Sequence, residues 1–170
     1  LNIPETYNQI NLIKDFEHNY ILLVNGSLHS SSFDFEEKSK IKIGSYDKDT
    51  NNQLSNNPLI CLNHALADGG FSLYIEDEYK FKKVLVIYNI FTKNIKNKIL
   101  NNKNKIKLNE NSELHVIEYI IDEFNSKFIS NVYENIILKK NSKLKNIFIQ
   151  KNHSNGFFHK FLKNKLFLNS

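Results

Sequence analysis

The chain has 170 residues, of which 41% are apolar and 12% aromatic, enough for one ordinary domain and too hydrophobic for wholesale disorder. All 23 basic residues are Lys and none is Arg, for a net charge of +5. Without the guanidinium fork that reads bases and grips phosphate in pairs, this charge does not describe a nucleic-acid surface. The longest apolar runs, Tyr20 to Val24 and Lys83 to Phe91, fall far short of the roughly 20 residues of a membrane-spanning helix.

In chain order, Ile3, Tyr7, Ile10, Ile13 and Phe16 recur at three- and four-residue spacing behind an early Pro4, which predicts a short amphipathic helix. Tyr20 to Val24 reads as a strand closed by Asn25-Gly26, a pair suited to a tight turn. From Ser27 to Pro58 the chain is polar and aperiodic; a surface loop with one strand, Lys40 to Ser45, is expected. Beyond Pro58, strands are predicted at Leu73 to Ile75, Val84 to Phe91, Lys105 to Leu108, Leu114 to Ile121, Phe128 to Leu138 and Leu144 to Gln150. These segments are rich in Ile, Val, Tyr and Phe, with Asn, Ser or Gly between them. Phe157 to Leu168 alternates in the same way. The run Thr92 to Lys107 is so rich in Lys and Asn that it reads as compositional drift. The expected organisation is an N-terminal helix, strand and polar loop over 1–58 and a β core over 59–170. The lack of any Met and the absence of a closing turn after Leu168 suggest a segment of a longer product.

One internal repeat stands out. Asn111-Ser112-Glu113-Leu114 and Asn141-Ser142-Lys143-Leu144 each begin a strand, at a spacing that suggests stacked coils burying a shared face.

Candidate chemistry is sparse. His18, His29, His64, His115, His153 and His159 lack the short fixed spacings of metal sites. Cys61 and His64 are near neighbours, but no third ligand or orienting acid accompanies them. With a single Cys there is no internal disulfide, and a reducing compartment is expected. Gly69-Gly70 lacks the further glycines or the Lys-Ser/Thr of a nucleotide loop and reads as a tight turn into a strand. Glu118 shares its strand face with Val116 and Ile120; its carboxylate is either on the solvated face of the strand or turned inward and partnered, in a structural role. No catalytic or metal-ligating residue is assigned.

Several segments, taken in order, resemble the core shared by the SufB/SufD family of iron–sulfur cluster assembly scaffolds, with the SufD branch the better match. They are Leu23-Val24-Asn25-Gly26; Leu62 to Ile75 with Asn63, Ala65 and Gly70; the strand lead-in at Ser112 that runs to Glu118; Ile129 to Gln150 with Asn131, Glu134, Leu144 and Gln150; and Phe158-His159. Gly69 stands where the family usually has an acid, and Val84 follows Lys83 where a Pro is common. The resemblance implies a right-handed parallel β-helix and a non-catalytic, cytoplasmic scaffold working with SufB-like and SufC-like subunits, the latter an ATPase. It also implies that this segment binds no cofactor, with the cluster handled by the parent complex through residues outside these 170. The alternative is an unrelated β-solenoid binding or structural protein.

Overall fold

The computed structural model describes residues 13–46, 55–122, 127–150 and 155–168. The chain is mainly β. Strands β1 (Asn19–Val24) and β2 (Ser27–Ser32) form an antiparallel hairpin, turned at Asn25 and Gly26. Both turn residues have positive φ, 52° and 83°, as the hairpin turn that matches strand twist requires. β2 departs from the expected loop: Ser27 to Ser32 has no apolar alternation, and the strand is held by its backbone ladder to β1. β3 (Ile41–Ser45) lies antiparallel to β4 (Gly69–Ile75). The predicted N-terminal helix falls largely outside the described residues, and Ile13 to Phe16 are not helical.

Between β3 and β4 the chain forms α1 (Pro58–Leu66), where the sequence suggested only a lead-in to strand. Pro58 occupies the first turn, where its missing N–H costs nothing. The Asn57 side chain caps the amides of Leu59 and Ile60 at 2.9 and 3.4 Å.

The remaining strands are β5 (Leu85–Phe91), β6 (Ile99–Leu108), β7 (Glu113–Asp122), β8 (Ile129–Leu138), β9 (Lys143–Gln150) and β10 (Phe157–Leu166). The Lys/Asn-rich run read as drift contains β6, whose Asn101 to Asn104 are buried between two neighbouring strands. Strand order in the sheet is β10-β8-β6-β4-β2-β1-β5-β7-β9. On either side of the β1–β2 hairpin the neighbours are parallel, so consecutive strands alternate between two wings. The two Asn-Ser turns sit in register, and Asn141 donates a 3.0 Å hydrogen bond to Asn111, thirty residues earlier. Both Asn residues adopt φ of 57°, a left-handed conformation that Asn tolerates better than most residues.

The sheet curls until its wings face each other. Ile21, Leu85, Ile87, Leu114 and Val116 of one wing pack with Leu73, Ile75, Ile106, Leu108, Ile136 and Leu138 of the other in one buried cluster. Each such side chain contributes about 1.5–3 kcal/mol on burial. Within one wing, β4 and β6 approach closely at Gly70. A Cβ at Gly70 would fall 1.7 Å from the Lys103 carbonyl oxygen, and Gly70 has φ of +118°, so only glycine fits. β9 and β10 end the strand order, each paired on one side among the described residues.

Candidate functional site

Along three strands the inward row changes character at the same level. On β7 the row runs Leu114, Val116, Glu118; on β8 it runs Leu138, Ile136, Glu134; on β6 it runs Leu108, Ile106, Asn104. Glu134 pairs directly with Asn104 in the sheet register. Glu118 comes from the opposite wing, and Lys160 of β10 reaches both carboxylates. Its Nζ lies 2.5 and 2.6 Å from the two Glu118 oxygens and 2.5 Å from Glu134 Oε2. Asn146 of β9 donates to Glu118 Oε1 at 2.7 Å. Glu118 is 3% exposed and Glu134 0%, so this is a buried cluster of two acids and one base. An unpaired charge at such depth would be very costly.

The two acids are not equivalent. Glu118 accepts three hydrogen bonds. Glu134 has only the Lys160 ammonium, in an ion pair at Oε2, and no donor on Oε1. Burial, reinforced by the Glu118 charge and opposed by Lys160, pushes the Glu134 carboxyl up to about 7. Burial acts to lower Lys160, but Glu134 and Glu118 outweigh it and raise the ammonium above its ordinary value. Lys160 is therefore a charged tie at neutral pH and not a neutral amine nucleophile. The adjoining cavity, lined in part by Asn89, Asn104, Glu118, Ser130 and Lys160, measures about 30 Å³, room for a water molecule or two.

A second polar layer lies on the outer face of the same wing, under α1. Asn101, Asn131 and His159 stand in register on β6, β8 and β10. Asn131 donates to Asn101 at 2.9 Å, and its oxygen meets His159 Nδ1 at 2.9 Å. Asn63 of the helix donates to the carbonyls of Asn102 and Asn131 at 2.9 and 2.8 Å, and Asn131 returns a bond to the Leu59 carbonyl at 2.8 Å. These buried amides fasten the helix to β6 and β8.

Of the residues singled out in the sequence, Glu118 takes the inward, partnered one of its two possible placements. Cys61 is exposed and donates to the Ser55 carbonyl, whereas His64 packs edge-on against Tyr133, with ring centroids 4.8 Å apart. His18 meets the Tyr88 hydroxyl and His115 meets Glu113; His153 lies outside the described residues. Among the described residues no group of three or more His, Cys, Asp or Glu side chains could hold a metal, and no helix is long and apolar enough to cross a membrane. Gly69 and Gly70 begin β4, pressed against Asn102 and Lys103. Lys160 went unnoticed in the sequence; its signal was parity with Phe158, which packs on Phe91 and Phe128. Another buried carboxylate, Glu36, also escaped notice. It accepts from the Lys82 and Lys83 amides, Asn19 and the Tyr79 hydroxyl. Burial alone would raise its pKa, yet these donors hold it below the usual carboxylate value, and it ties the turn before β5 to the hairpin.

Compared with protein-family models, with curated proteins and with solved structures, the chain finds no match.

Proposed function

We propose that this chain is part of a SufD-like scaffold subunit of an iron–sulfur cluster assembly complex, acting in the cytoplasm beside SufB-like and SufC-like subunits. The observation that carries the reading is convergence. Residues quoted for the family resemblance from widely separated segments meet in space: Asn63, Asn131 and His159 in one polar layer, Glu118 and Glu134 on one lysine. Residues chosen at random from an Asn- and Lys-rich chain would scatter. The alternation of consecutive strands between two parallel wings also supports the finer fold in this proposal, a right-handed parallel β-helix with each coil contributing one strand to each wing.

In this reading the chain's task is rigidity. Its buried polar layers fix strand register, and cluster chemistry and ATPase docking belong to parts of the parent assembly outside these residues. The test is co-purification of the tagged chain, and of a longer product extending past Ser170, with SufB-like and SufC-like proteins of the same organism. Recovery of the partners with the longer product supports the proposal. If neither form recovers them, the unrelated β-solenoid binding protein takes its place.

A further inference from the structure

Glu134 and Asn104 face each other on adjacent parallel strands, both inside the curled sheet. Each presents an acceptor with no hydrogen bond, Glu134 Oε1 and Asn104 Oδ1, and Glu134 Oε2 has only the Lys160 ammonium. Acceptor atoms left without a hydrogen bond at this depth are a deficit that a proton on Glu134 can correct. Charge balance points the same way. Two carboxylates sharing the single ammonium of Lys160 leave one net negative charge in the interior, and a proton on Glu134 removes it.

We infer that Glu134 is a proton-operated latch for β10: protonated, it completes the interior and holds the strand down; ionised, it loosens the strand. The mechanism runs through Lys160, which ties β10 to Glu118 of β7 and Glu134 of β8. With Glu134 protonated, its O–H supplies the missing donor to the Asn104 oxygen, and Lys160 and Glu118 form a neutral pair. With Glu134 ionised, Glu118 and Glu134 repel each other while competing for one cation. The titratable and charged groups facing Glu134 are Glu118 and Lys160. The elements around the cluster otherwise bring Asn104 from β6, Asn146 and Phe148 from β9 and Asn89 from β5.

The position of the titration fits neutral pH. Burial first, then Glu118, raises the Glu134 carboxyl from 4.5 to about 7. A carboxyl raised on folding contributes stability below its unfolded value and loses it as pH climbs through the folded one. β10 is therefore tighter at pH 6 than at pH 8. If the opened strand restores the ordinary value, the opening equilibrium rises about tenfold between these pH values.

The test combines two measurements on the intact chain. Carboxyl ¹³C NMR of glutamate-labelled protein, assigned with E134Q, follows the titration of Glu134. Amide hydrogen exchange, corrected for the intrinsic effect of pH, follows the opening of β10 at pH 6 and pH 8. The expected result is a Glu134 midpoint near 7, about tenfold greater opening of β10 at pH 8, unchanged opening of β5, and no pH effect on β10 in E134Q. A Glu134 midpoint below 5.5, equal β10 opening at the two pH values, or the same rise in E134Q would overturn the latch. Should E134Q not fold, the wild-type opening data and a glutamate midpoint near 7 against none above 5.5 still decide.

Discussion

The interior of this curled sheet has two halves built on the same strands. Toward the Asn-Ser turns it is filled by Leu73, Ile75, Leu85, Ile106, Leu108, Leu114 and Val116, all at most 1% exposed. One step further along, the inward row becomes Glu118, Glu134 and Asn104, closed by Lys160. The backbone, register and depth are shared, so the contrast isolates what each kind of core responds to. The apolar half is governed by volume and is indifferent to pH. The polar half is governed by the balance of charge and donors, so its strength depends on the proton concentration.

The largest effect should come from removing the cation alone. Lys160→Met leaves two buried carboxylates facing each other, and a loss of about 3–5 kcal/mol at pH 8 is expected, shrinking at pH 5 as Glu134 protonates. Urea unfolding at the two pH values checks this; equal losses at both would mean that the cluster is not charge-governed. Leu73→Ala, in the apolar half, should cost about 3 kcal/mol through the cavity it leaves. In contrast to the first variant, its loss should be the same at pH 5 and pH 8 by chemical denaturation. Asn131→Ala sharpens the comparison from the polar side without charge. Its buried partners, the Asn101 oxygen and the Leu59 carbonyl, lose their donor, at a cost of about 1–3 kcal/mol. That loss should be nearly flat with pH in thermal scans and accompanied by weaker amide protection in α1. The smallest effect is the native slope itself. Because Glu134 titrates at about 7, stability should fall by about 1 kcal/mol from pH 6 to pH 8, and Glu134→Gln should abolish that part of the fall.

The apolar half was legible in the sequence and the polar half only partly so, for physical reasons. Val84 to Phe91 and Leu114 to Ile121 announce themselves because β-branched and aromatic residues suit a pleated surface. For Glu118, parity with Val116 and Ile120 made an inward position one of two possibilities. Its partner Lys160 lies 42 residues away, and no local pattern says which strand closes over which. The first half of β6 was masked by composition: Asn101 to Asn104 look like solvated filler, yet they are buried, with Asn101 bonded by Asn131 and the Asn102 carbonyl by Asn63 of α1. Helix α1 was missed because Leu59 to Leu62 is apolar all round, and its signal was the Asn57-Pro58 cap. β2 was missed because its pairing is made by backbone, which Ser and His neither favour nor prevent.

The outermost strands, β9 and β10, bear on how copies of this chain meet one another. Their edges hold rows of amides and carbonyls of the kind that recruit further strands, and Ile147, Ile149 and Leu166 are exposed beside them. Lys143 and Lys145 on β9 and Lys163 and Lys165 on β10 are joined by no acidic residue on either strand. Two such edges approaching each other bring like charges together before any backbone bond can form. Association of such edges should therefore be weakest in dilute salt and strengthen as ionic strength rises.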